Sequence, residues 1–134
     1  MSDAVSAELL PILQGVTTPS LWYMDENSGH LLEQLGPNPN ITIVTNRYDI
    51  YQHAKAYKFI SIFNDFDHNQ YPRETFSNII LRISKEKSLV HFLINQGADL
   101  LDSDGIFTIA GHKQEGIKTY GDKITRQLNA QGKL

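Results

Sequence analysis

Apolar and polar positions along this chain follow two different periods. Short runs rich in β-branched and aromatic residues, LWYM (21–24), ITIVT (41–45), KFISIF (58–63), NIILRI (78–83) and IFTIA (106–110), predict five strands. Between them the apolar residues recur at helical spacing. Leu31, Leu32 and Leu35 share one face of a short helix that Ser28 would cap and Gly36 would stop. After the second strand, Asn46 and Asp49 stand three apart as a variant of the capping box, and the helix they open runs to Tyr57. A longer helix is predicted from Lys85 to Leu101, with Leu89, Val90, Leu93 and Ile94 on its buried stripe. The turn DSDG (102–105) leads into the fifth strand, and Ile117, Tyr120, Ile124 and Leu128 mark a last helix.

Strand and helix alternating in this way give an α/β protein, an open and mostly parallel sheet of about five strands with helices on both faces. Unbroken apolar runs such as ITIV support it, because a strand buried on both sides loses its alternation. The link NDFDHNQYPRETFS (64–77) is the exception: it is polar, carries Pro72 and leaves little room for a crossover helix. We divide the chain into an N-terminal helical segment, 1–20, and a Rossmann-like unit, 21–134. Val5, Leu9, Leu10, Ile12 and Leu13 make the first segment amphipathic, and Pro11 requires its helix to begin late or bend there.

The bulk numbers add exclusions. A chain of 134 residues is long enough for one domain with a core of its own. It has no cysteine, so disulfides, thiolate metal sites and cysteine nucleophiles are ruled out. The net charge of −3 confines any nucleic-acid contact to a local patch. No apolar run is long enough for a bilayer, and the N-terminus is acidic where a signal peptide would be basic. These features lead us to expect a cytoplasmic protein without a membrane partner.

In an open parallel sheet, ligands bind at the carboxyl ends of the strands. After the first strand, DENSG (25–29) holds a single glycine, whereas a phosphate or nucleotide loop needs several. After the second, Thr45, Asn46 and Arg47 stand where a cofactor ribose would need an acidic residue. Asp65, Asp67 and His68 after the third strand could bind a cation or do acid–base work, although such a cluster is ordinarily a solvated loop. The other histidines have no metal-ligand spacing, so we expect no metal. The turns after the fourth and fifth strands are different. If those strands are adjacent, Arg82, Lys85, Lys87, His112, Lys113 and Lys118 meet at one edge of an otherwise acidic protein. Lysines in the first turn of a helix oppose its dipole, so their presence asks for a reason beyond capping. A hydrophilic turn and an anion contact both satisfy the pattern.

From residue 78 to 120 the order of features is a strand, KEK, the helix LVHFLINQGADLL, the strand IFTIAG and then K-x-E-G-I-K-T-Y. It resembles the N-terminal half of bacterial ribosomal RNA guanine-N2 methyltransferases; residues 20–65 agree in strand–helix order only. The resemblance implies a Rossmann-like methyltransferase fold and a parent with two tandem domains. In that family the C-terminal domain binds S-adenosylmethionine and carries an Asn-Pro-Pro-Phe type motif. The N-terminal domain is a degenerate copy that supports RNA recognition and folding of its partner.

The motif's Asn or Asp and its proline-held carbonyl accept hydrogen bonds from the target amino group. This chain has RISKEK (82–87) there, and Ser84 and Lys85 can do neither job. The resemblance therefore implies no catalytic residue and no cofactor in this chain, with S-adenosylmethionine expected in the parent's second domain. Arg82, Lys85, Lys87, Lys113 and Lys118 are the expected contacts to ribosomal RNA or to that catalytic domain. The family's complete fold adds a sixth and seventh strand. No further strand run follows TRQLNAQGKL (125–134), which leads us to expect a segment of a longer enzyme or a short relic of one. Two other readings stay open: a docking module without RNA contact, and a working S-adenosylmethionine-binding methyltransferase or small-molecule site built on Asp25, Glu26, Asp65 and Asp67.

Overall fold

A computed structural model of the chain describes residues 8–24, 29–64, 71–83, 86–111 and 115–133. The five strands are β1 (Ser20–Tyr23), β2 (Ile41–Thr45), β3 (Ile60–Phe63), β4 (Phe76–Arg82) and β5 (Leu101–Ala110). They form one sheet in the order β3-β2-β1-β4-β5, with every neighbouring pair parallel. The helices are α1 (Leu9–Gln14), α2 (Leu31–Leu35), α3 (Tyr48–Ala56), α4 (Lys87–Leu100) and α5 (Ile117–Ala130). This is a doubly wound sheet whose order reverses between β1 and β4.

Alternation along the central strand divides the core in two. Trp22 and Met24 point to the face covered by α1, α2 and α3, where they meet Leu9, Leu13, Leu31, Leu32, Ile50 and Ala54. Leu21 and Tyr23 point to the other face, under Val90, Leu93 and Ile94 of α4 and Tyr120, Ile124 and Leu128 of α5. All four β1 residues are buried, as a middle strand between helix layers must be. Each fully buried Leu, Ile or Val side chain contributes about 1.5–3 kcal/mol.

Three details depart from the sequence pattern. β3 begins at Ile60, because Lys58 sits at φ +67° and turns the chain before the strand can start. The Lys58 amide donates to the Lys55 carbonyl and the Phe59 amide to the Ala54 carbonyl, the paired bonds of a Schellman stop. Secondly, DSDG lies inside β5. Phe76 pairs with Leu101 and Asn78 with Ile106, so the segment bulges out of the ladder. The Asp104 amide donates to Asp102 Oδ1 (3.1 Å), so the local turn chemistry is kept within a strand. Finally, α3 starts from Arg47 with no side-chain cap, and the Arg47 amide donates instead to Thr45 Oγ1 (3.2 Å). Asp49 pairs with the Arg47 guanidinium at 3.4 Å, which draws its carboxylate away from capping.

α1 starts at Leu9, which puts Pro11 in its first turn, where no intrahelical amide is lost. Ser28, expected as a cap, lies outside the described residues, and Gly36 ends α2 at φ +71°. At the C-terminal end of α4, Lys133 Nζ donates to the Ala98 carbonyl (2.6 Å), a cation at the negative end of a helix. No helix among the described residues is long and apolar enough to cross a membrane.

Candidate functional site

Because every strand runs in the same direction, all five carboxyl ends lie along one rim. β4 and β5 are neighbours, which brings the starts of α4 and α5 together at one end of it. Lys87 is the first residue of α4 and Lys118 the second of α5, and both are exposed. Neither helix has an acidic residue in its first turn or a side-chain cap. Two helix starts bearing exposed lysines therefore lie at one end of the rim, where Glu86 is the N-cap residue of α4 and Glu115, just before the N-cap of α5, is paired with Arg82.

Arg82 separates from these lysines. It is 4% exposed, on the face of β4 shared with Ile80. Its guanidinium Nη1 donates to Glu115 Oε1 at 2.9 Å and to the Ile83 carbonyl. A charge at that depth is held by internal partners, not by a surface ligand. The expectation that Arg82 joins the surface contacts is thus corrected: Arg82 ties the end of β4 to the approach to α5. Lys85, His112 and Lys113 lie outside the described residues, as do Asp25, Glu26, Asp65, Asp67 and His68.

The end of β2 offers nothing acidic at the position a ribose would use, since Thr45 and Arg47 bond to each other there. Gly29, the single glycine of the turn after β1, packs inward. A Cβ there would come within 3.0 Å of Ile50 Cδ1, so the missing side chain makes room for the core. Among the described residues no group of three or more His, Asp or Glu could hold a metal ion.

The other end of the rim carries a feature the sequence reading missed. Tyr48, at the start of α3, and Phe63, the last residue of β3, are 60% and 46% exposed. Their rings meet edge to face at 5.5 Å, and Tyr51 joins them at 6.1 Å from Tyr48 and 5.7 Å from Phe63. Gln52 Nε2 donates to the Tyr48 hydroxyl at 2.7 Å, and Lys55 Nζ lies 5.1 Å above the Tyr51 ring. The available signal was the position of Tyr48 and Phe63 at the carboxyl ends of adjacent strands.

A sequence profile described as Methyltransferase small domain N-terminal matches residues 17–134. The chain belongs to that family. No curated protein matches it in sequence. Its fold is shared with T. thermophilus 16S rRNA N2 G1207 methyltransferase (RsmC), solved with AdoMet and guanosine. That superposition has a TM-score of 0.65 at 13% identity, covering 91% of this chain and 33% of RsmC. A Pyrococcus horikoshii OT3 protein gives 0.58 at 17% identity, over 81% of this chain and 57% of that one. A Haloferax volcanii protein solved with the methyltransferase activator Trm112 gives 0.56 at 16%, over 78% and 50%. This chain spans between a third and just over half of the length of these proteins. The methyltransferase small domain N-terminal family thus accounts for the Rossmann-like fold read from the strand–helix order.

Proposed function

We propose that this methyltransferase-like domain is the non-catalytic N-terminal part of an S-adenosylmethionine-dependent ribosomal RNA guanine-N2 methyltransferase. It holds RNA phosphate through the lysines of the β4–β5 end of the rim and supports its catalytic partner domain. The observation that carries this reading is the juxtaposition of two helix starts, each with an exposed lysine in its first turn. Lys87 and Lys118 are the contacts this geometry supports, and Lys85 and Lys113 are assigned the same role by sequence. A non-catalytic role is supported by Gly29 packing on Ile50 and by Thr45 and Arg47 at the end of β2. These residues do not suit S-adenosylmethionine, which belongs to the second domain in this reading. The protein works in the cytoplasm, where its ribosomal substrate is made.

Phosphate contacts give salt-dependent affinity with little sequence preference. The test is a filter-binding titration of the 134-residue chain with a structured ribosomal RNA fragment at two salt concentrations. Replacing Lys87 and Lys118 together by Ala should weaken binding and reduce the salt slope by about 2. Unchanged affinity at low salt would remove the phosphate role.

A second reading has its own observation. β5 is an edge strand, and Ile106 on it is 63% exposed, which suits a protein neighbour. Salt-sensitive affinity for the separate catalytic domain, with no RNA binding by this chain, would favour docking.

A further inference from the structure

We propose that Tyr48, Tyr51 and Phe63 form a stacking platform for an unpaired base of RNA, at the opposite end of the rim from the lysines. This extends the RNA-holding reading and names a second, chemically different contact.

Three features carry it. Tyr48 and Phe63 are exposed and Tyr51 is half-buried, and Tyr48 is fixed by the edge-to-face contact with Phe63 and by the hydrogen bond from Gln52 to its hydroxyl. An aromatic surface already fixed in place loses little side-chain freedom when a base lands on it. Among the described residues its neighbours are polar: Lys55 Nζ lies over the Tyr51 ring, and Arg47, next to Tyr48 in sequence, is paired with Asp49. A protein hot spot would instead have an apolar core around its aromatic anchors. Lastly, Tyr48 keeps 60% of its surface in solvent. A free nucleoside needs a cleft that buries most of it, whereas a base presented by a strand needs only a ring face and a cation for its phosphate.

The two ends of the rim divide the work of holding RNA. From β3 to β5 there are four strand spacings of about 4.8 Å, or roughly 19 Å. One RNA can therefore touch both ends, its unpaired base on the rings and its backbone on Lys87 and Lys118.

The test uses the 134-residue chain with two probes, an unstructured oligouridylate and an RNA duplex of equal length. Tyr48→Ala should lower affinity for the single strand about tenfold, leave the salt slope unchanged and leave duplex binding unaltered. Tyr48→Phe keeps the ring and should bind like the original chain. Because Tyr48 is so exposed, its thermal midpoint should be retained, which separates lost stacking from lost fold. Wild-type affinity in both Tyr48→Ala and Phe63→Ala overturns the platform, as does an equal loss on duplex and single strand. If the Lys87/Lys118 variant is impaired while the ring variants are not, the platform alone fails. If only the ring variants are impaired, the lysine role fails and the platform stands. A chain that binds neither probe overturns both, and leaves the trio to a protein partner.

Discussion

Arg82 and Glu115 are 33 residues apart in sequence and 2.9 Å apart in space, with side chains 3% and 11% exposed. The pair joins the last residue of β4 to the approach to α5, so the lysine-bearing helix starts keep their relative position. It is a positioning device set one layer beneath the surface that we assign to RNA.

Glu115→Ala should destabilise the fold in urea unfolding, because the buried Arg82 guanidinium loses its 2.9 Å carboxylate contact. Replacing both together, Arg82→Met with Glu115→Leu, should cost much less. A double variant as unstable as the single one would contradict a desolvated pair.

The two Schellman stops differ at their left-handed residue. α5 places Gly132 at φ +72°, whereas α3 places Lys58 at φ +67°. A side chain in that region is crowded by its own backbone. Lys58→Gly should therefore stabilise the protein by about 0.5–1 kcal/mol. A lower denaturation midpoint in this variant would argue against the strain.

Gly105 makes the bulge in β5 possible. A Cβ there would lie 2.4 Å from Leu101 Cδ1 and 2.9 Å from the Ser77 carbonyl oxygen on β4. The side chain can swing away but the carbonyl of a paired strand cannot, so Gly105→Ala should destabilise by about 1–3 kcal/mol. Thermal unfolding of this variant beside Gly121→Ala is the check, since among the described residues outside the Gly121 helix turn the nearest atom to an added Cβ there is Ile109 Cδ1, at 4.0 Å.

Tyr23 predicts an alkaline limit. Its hydroxyl donates to Gln96 Oε1 at 2.7 Å, and burial raises its pKa above the ordinary 10.0. Above about pH 10 the unfolded chain releases this proton while the folded chain keeps it. The folded state then binds more protons, so stability falls as pH rises, by up to about 1.4 kcal/mol per pH unit from this group. Below pH 10 that contribution is complete. Tyr23→Phe should be about 1 kcal/mol less stable at neutral pH and show a shallower alkaline decline. Parallel alkaline slopes in the two proteins would place the proton elsewhere.

How much of this was legible in the sequence depended on where each constraint arises. β2 matches its predicted range, Ile41–Thr45, because burial on both faces writes an unbroken apolar run into the chain. The start of β3 was misplaced because Lys58 gives no outward sign of a left-handed backbone. DSDG was read as a turn, and it does turn locally, yet the ladder with β4 resumes around it. Arg82 was grouped with the surface lysines because they follow it closely in sequence. Its flanks, Leu81 and Ile83, were the clue: a charge inside a buried strand must find an internal partner. The aromatic trio joins residues from α3 and β3 through packing, which periodicity within either element does not report.

Trp22 gives the molecule an optical probe of its own. It is the single tryptophan of the chain, fully buried on the central strand, and its indole N–H has no hydrogen-bond partner among the described residues. An indole in such apolar surroundings emits toward the blue, and unfolding would move its emission to the red as water reaches it. The stability differences between Glu115→Ala, Lys58→Gly, Gly105→Ala and Tyr23→Phe can thus all be followed from one unlabelled chromophore at the centre of the sheet. That probe lies in the core, whereas the rings of Tyr48 and Phe63 are exposed, so its emission reports on folding.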